Sequence, residues 1–385
     1  MNGQMAIYLD HNASAPLLPQ SRVAILDALA LTGNPSSVHG FGRALSTIIE
    51  RARESVAKTC GAERDQVVFT GSATESITQA IVGGCNALGI DKVVTSAGEH
   101  AAVVKAAEAT GLPVQLVDLL PNGLVDLAGF AKAINEANDN DQLVLVAVQA
   151  VNNETGVVQP IEAVEALVGP TRHFLFVDGV QAFCKRPLDF AARASDMMAI
   201  SAHKIGGPAG VGALLVKPHC NEVRLIPGGG QEQGRRGGTA SAALIAGFGA
   251  AAEEFGLKYD ADAISQLVSA LETGLKDLRD DVIIFGDEVE RVGNVVNFAV
   301  PGLTASVATM GLDLEGVAIS SGSACSSGKV GRSKVLQAMG VSRELAECGL
   351  RASFGWSSNL NDVNGFLKAF TLVLERNDKE KGRAA

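Results

Sequence analysis

The sequence predicts an α/β protein with a mostly parallel sheet flanked by helices, followed by a smaller α+β domain. Three observations carry that expectation. Short apolar, β-branched runs recur between helix-compatible stretches, as buried parallel strands do. The runs stop near residue 216 and give way to weaker alternating patterns such as N-V-V-N-F-A-V at 294–300. The chain has 385 residues, more than the ~250–300 at which a single core stops growing. We therefore expect a large domain over 13–255 and a small one formed by residues 1–12 together with 256–385.

The runs are V-V-F-T at 67–70, K-V-V-T at 92–95, L-V-L-V-A-V at 143–148, F-L-F-V at 174–177 and M-M-A-I at 197–200, before a long helical stretch that opens at Ser241. Ligands of open parallel sheets bind beyond the carboxyl ends of the strands, so the residues that follow each run matter most. After the first, Gly71 and Ser72 lead into a helix. Ser72, Ala73 and Thr74 suit either an anion site or an ordinary cap. His100 follows the second run, and Asn152 and Asn153 follow the third, where turn formation competes with ligand binding. Asp178 closes the fourth, and a buried carboxylate there requires a partner. Lys204 follows the fifth among small and apolar residues, where desolvation favours the neutral amine that condenses with carbonyls.

Each residue alone has a plain structural explanation. Together, a phosphate-compatible turn, a strand-end Asp and a strand-end Lys are what pyridoxal 5′-phosphate requires. The lysine attaches the aldehyde, the carboxylate keeps the ring nitrogen protonated, and the turn holds the phosphate.

Composition excludes other classes. Hydrophobic residues make up 47% and charged residues 19%, with 32 basic against 42 acidic, so a globular core is affordable and no nucleic-acid partner is expected. The opening M-N-G-Q-M-A-I-Y-L-D lacks a secretory signal, and no apolar run of the ~18 residues that would suggest a membrane span occurs. The cysteines at 60, 85, 184, 220, 325 and 348 form no C-x-x-C pair, which argues against a metal site or disulfide framework and for a reducing cytoplasm.

The stretch S-S-G-S-A-C-S-S-G-K at 320–329 admits three readings: an incidental cysteine in a linker, a phosphate loop, or a thiol that travels. The phosphate loop fails, because Gly322 and Gly328 are wrongly spaced and Val330 follows the lysine. Five extended residues at ~3.3 Å each would let the Cys325 thiol swing roughly 16 Å. Lys329 and Arg332 are expected to favour its thiolate.

The blocks Y-L-D-H-N-A-S-A-P at 8–16, F-T-G-S-A-T-E-S at 69–76, V-N-N-E-T-G-V-V-Q-P at 151–160, S-A-H-K-I-G-G-P at 201–208, S-S-G-S-A-C at 320–325 and L-R-A-S-F-G at 350–355 make the chain resemble the NifS/IscS-like cysteine desulfurases. These are class V aminotransferase relatives with the fold-type I pyridoxal phosphate architecture, whose large domain has a seven-stranded sheet. The resemblance implies that Lys204 binds the cofactor and moves the substrate Cα proton. Asp178 would pair with the ring nitrogen, Gln181 contact the ring hydroxyl, and His100 stack on the ring and serve as a catalytic acid. Ala73, Thr74, Ser201 and His203 would hold the phosphate, with Thr239 reaching in from a second subunit. Asn34, Asn153 and Arg351 would grip the substrate carboxylate. Cys325 would take the sulfur of L-cysteine as a persulfide, leave alanine, and pass the sulfur to an acceptor protein such as an iron–sulfur scaffold. The resemblance also implies a homodimer. Gln233 stands where relatives often carry a basic residue. A transaminase or kynureninase-like lyase would share Lys204 but have no use for Cys325, and a non-catalytic scaffold would need neither.

Overall fold

The computed structural model describes residues 7–322 and 332–384, the side chains of 380–384 excepted. Its strands are β1 (Ile7–Tyr8), β2 (Val67–Thr70), β3 (Lys92–Ser96), β4 (Val114–Val117), β5 (Val144–Gln149), β6 (Phe174–Asp178), β7 (Met197–Ser201), β8 (Gly212–Val216), β9 (Ile283–Ile284), β10 (Val295–Ala299), β11 (Val317–Ala318), β12 (Ser320–Ser321) and β13 (Leu350–Ser353). The large sheet has seven strands in the order β2-β8-β7-β6-β5-β3-β4. All run parallel except β8, which is antiparallel to both of its neighbours.

Both faces of this sheet are covered, which is why its inner strands are apolar along most of their length. Along β5, Val144, Val146 and Val148 enter one core with Phe130, Val164 and Phe248, while Leu145 and Ala147 enter the other with Ile77, Ile81 and Val103. Each such side chain contributes about 1.5–3 kcal/mol on burial. The sequence reading omitted β4 and β8. β4 is an edge strand with Leu116 exposed, and the G-A-L-L-V of β8 lacks a β-branched run.

The helices Gly40–Cys60 and Ala242–Lys258 pack closely on one face. A Cβ on Gly249 would lie 2.6 Å from the Ala52 Cα, so the small-residue stripe of the second helix sets their separation. Beyond it, β12-β13-β10-β9 form an antiparallel sheet, and β1 pairs in parallel with β11. The N-terminal strand is thereby joined to the C-terminal part of the chain. Among the described residues, no helix is long and apolar enough to cross a membrane.

Candidate active site

The large sheet delivers its polar residues to one edge, where a cavity of about 340 Å³ is lined by Ala73, Thr74, His100, Asn153, Asp178, Gln181, His203 and Lys204, together with Asn12 and Ala13 from the N-terminal segment. A roomier cavity of about 670 Å³ has its charges already paired, Arg186 to Glu290 and Arg193 to Glu162, and receives none of the expected site residues.

Each wall has a local cause. Ser72 caps the helix Ala73–Thr78, its Oγ accepting from the Glu75 amide at 3.1 Å. The Ala73 and Thr74 amides, in the first turn, have no intrahelical acceptor. Glu75 turns back to accept from the Gly71 amide at 2.8 Å and pairs with Arg236 at 2.7 Å. His100 caps the helix Ala101–Ala109 by accepting from the Ala102 amide at Nδ1, 3.1 Å away, which leaves Nε2 as the ring's donor.

The two asparagines divide their labour. Asn152 is the turn-former, its Oδ1 accepting from the Glu154 and Thr155 amides at 2.9 Å each. Asn153 faces the cavity. Lys204 follows β7 in a short 3₁₀ turn, and its Nζ donates to the carbonyl oxygens of Asn12 at 2.6 Å and Ala13 at 2.8 Å.

Burial pushes the Asp178 carboxyl up against the opposing effects of the Val180 amide and the nearby His100 and Lys204. Burial, then the positive charges of Lys204 and Lys185, bring His203 down to about 4, so its ring is neutral near pH 7. Ser201 is buried, and its Oγ has no hydrogen-bond partner among the described residues. First-turn amides, an unspent hydroxyl and a neutral imidazole suit a phosphate. A buried carboxylate suits a protonated ring nitrogen, and the amine suits an aldehyde. These residues fit pyridoxal phosphate.

Arg351, on β13, is almost fully buried; it pairs with Asp10 at 2.7 Å and donates to the Asn153 carbonyl at 3.1 Å. Its Nε is buried without a hydrogen-bond partner among the described residues. Asp10 in turn accepts from Ser320 Oγ at 2.7 Å. Asn34 and Thr239 are exposed and do not line the cavity, and Asn34 Oδ1 accepts from the Ser36 amide. Gln233 is exposed in a left-handed conformation with φ 58°.

Cys325 and Lys329 lie outside the described residues. The flanking Gly322 and Arg332 line a second cavity of about 320 Å³, which shares His100 and Asn153 with the first. Arg332 is paired with Glu347 at 2.8 Å, a competing partner for the charge that the sequence reading assigned to the Cys325 thiol.

Sequence reasoning gave no role to Asn12, Glu99, Glu154 or Lys185. Glu99 is pushed up to about 8 and Glu154 to about 7, both by burial first. Ser333 Oγ donates to Glu154 at 2.5 Å. Asn12 lies in a block quoted for the resemblance, and Lys185 stands four residues after Gln181; neither pattern specifies a contact.

A sequence profile of the aminotransferase class-V family matches residues 7–366. Cysteine desulfurase IscS of Rickettsia felis is 35% identical over 389 aligned residues, covering 98% of this chain and 92% of that protein. The solved NifS-like protein from Rickettsia africae superposes with a TM-score of 0.88 at 29% identity, covering 96% of this chain and 99% of its own. SspA, solved in complex with cysteine, gives 0.75 at 30% identity, covering 90% and 98%.

Proposed function

The chain belongs to the aminotransferase class-V family and is a cysteine desulfurase, and from that premise we propose that it binds pyridoxal 5′-phosphate at Lys204 and transfers the sulfur of L-cysteine to Cys325. The observation that carries this reading is the convergence of Lys204, Asp178, Gln181 and a helix start on one cavity, beside a second cavity lined by both described flanks of the Cys325 segment.

Bound there, the cofactor supplies an electron sink that opens the substrate sulfur to attack. The protein's own residues do the rest. The amides of Ala73 and Thr74, with Ser201 and neutral His203, hold the phosphate. Asp178 holds a proton on the ring nitrogen. Lys204 Nζ, seated by the Asn12 and Ala13 carbonyls, moves the substrate Cα proton. The Asn153 side chain orients the carboxylate, and Arg351, buried and held by Asp10, joins it only when its guanidinium exchanges that partner. The Cys325 thiolate accepts the sulfur, so that L-cysteine and a protein thiol become L-alanine and a protein persulfide.

We read the second subunit as part of the site. Asn34 and Thr239 are exposed, and beside Asn34 the apolar Val38 and Phe41 are 88% and 68% exposed; a second copy would cover them. We assign the large domain to 13–255 and the small one to 1–12 with 256–385, supported by the separate sheets. Five described cysteines are unpaired, which supports a reducing cytoplasm. The persulfide would pass to an acceptor protein in iron–sulfur or other thio-cofactor assembly.

The test supplies L-cysteine and a reductant to wild type, Cys325→Ser and Lys204→Ala, and measures sulfide and alanine. Both variants should lose nearly all turnover, while Cys325→Ser keeps a substrate-induced change in cofactor absorbance. Cys325→Ser turning over like wild type would overturn the role of the thiol.

A further inference from the structure

We infer that Lys185 is a positioning residue that fixes the carboxamide of Gln181, so that its amide nitrogen, rather than its oxygen, faces the ring hydroxyl of pyridoxal phosphate. The inference rests on the cofactor reading above and adds a residue to it.

After β6 the backbone coils into helical turns, with the Phe183 amide donating to the Gly179 carbonyl and the Arg186 amide to the Ala182 carbonyl, each at 2.9 Å. Residues four apart then share a side, which brings Lys185 over Gln181. Lys185 Nζ donates to Gln181 Oε1 at 2.9 Å and, more weakly, to Asn12 Oδ1 at 3.4 Å. The other end of the amide, Gln181 Nε2, donates to the Asn12 carbonyl at 3.0 Å. That carbonyl also accepts from Lys204 Nζ at 2.6 Å. Asn12 is held in its turn, Asn294 Nδ2 donating to its Oδ1 at 3.0 Å and its own Nδ2 donating to the Asn153 carbonyl at 3.2 Å.

A carboxamide is nearly symmetric in shape, and only its partners decide which end faces a ligand. A charged lysine only donates and the Asn12 carbonyl only accepts, so the Oε1 end points at Lys185 and the Nε2 end at Asn12. One Nε2 hydrogen is spent on Asn12, and the second remains for an acceptor oxygen in the cavity. Burial, then Lys204 and Arg351, bring Lys185 down to about 7, with Cys184 opposing; His11 and His203 also feel its charge. Orientation survives this titration, because the Asn12 carbonyl can only accept and keeps the Nε2 end while the neutral amine still donates to Oε1.

The experiment measures pyridoxal phosphate affinity by equilibrium dialysis of the apoprotein. It compares wild type, Lys185→Met, Gln181→Leu, the double variant and Lys185→Arg. Each of Lys185→Met and Gln181→Leu should weaken binding about tenfold, as loss of one charge-assisted hydrogen bond does. The double variant should bind no more weakly than Gln181→Leu alone, because residues acting through one another are not additive. Lys185→Arg, still a donor, should stay near wild type. Losses that multiply in the double variant, or Lys185→Met binding like wild type, would overturn the inference. If Lys185→Met does not fold alone, the same comparison within the Gln181→Leu background decides, since there the change at 185 should have no effect. Wild type failing to bind the cofactor would instead refute the underlying cofactor reading.

Discussion

Replacing Glu99 with glutamine should make the protein more heat-stable in mild alkali while leaving it little changed in mild acid. Glu99 is buried, its Oε1 accepts from Ser96 Oγ at 2.6 Å, and its Oε2 has no partner among the described residues. Burial, with a further push from Asp178, carries its pKa to about 8 from 4.5. In the unfolded chain the carboxyl ionises near 4.5, so between pH 4.5 and 8 the folded protein binds the extra proton. Stability therefore falls as pH rises through that window, and the loss is complete above about 8. At about 1.36 kcal/mol per pH unit the gap amounts to about 5 kcal/mol. Glutamine does not ionise and escapes the loss. Between pH 5 and pH 8.5 about 4 kcal/mol of that gap is traversed, and with 385 residues at about 2.1 cal/mol/K each the unfolding entropy is about 0.8 kcal/mol/K, so the midpoint advantage of Glu99→Gln should grow by about 5 °C. Calorimetry of both proteins at both pH values, at equal concentration, provides the measurement. An unchanged difference in midpoint would show that Glu99 is ionised in the folded protein and that its burial has been misjudged.

Other substitutions test the surroundings of the site. Glu232 makes a bidentate pair with Arg53 at 2.7 and 2.8 Å and also accepts from the Phe69 amide, so Arg53→Met should cost about 3–5 kcal/mol by stranding a buried charge, visible as a lower denaturation midpoint. Ser333→Ala should reduce kcat for sulfide release with little change in KM, because it unties one described flank of the Cys325 segment from Glu154; steady-state kinetics at fixed reductant will show whether KM moves instead. Phe41→Asp should shift the molecule toward monomer in sedimentation and lower its activity in parallel, whereas an active monomer would remove the second subunit from the site.

The sheet was legible because strands buried on both faces cannot hide: Val144 to Val148 are apolar in every position. The strand ends were legible for the complementary reason, since polar residues after such runs have a crevice to face. β4 was not legible because an edge strand tolerates a half-buried Gln115 and an exposed Leu116. Contacts that exist only after folding were not legible. Nothing near residue 12 says that its carbonyl will seat Lys204, and nothing near 351 says that Asp10 will occupy its guanidinium. Asn34 and Thr239 marked the opposite case, residues with an assigned role whose place in one chain is on its surface.

The threading of the N-terminal segment through the site has a consequence for biosynthesis. Leu9 bonds to Ala318 and Ser353, and the Asn12 amide donates to Ser353 Oγ at 2.9 Å. Residues 9–12 thus leave the ribosome more than 300 residues before the partners at 318 and 353 that they wait for. The carbonyls that seat the reactive amine cannot be locked down until residue 353 has been made, so a nascent chain halted after the large sheet should fold much of its core yet hold the cofactor poorly.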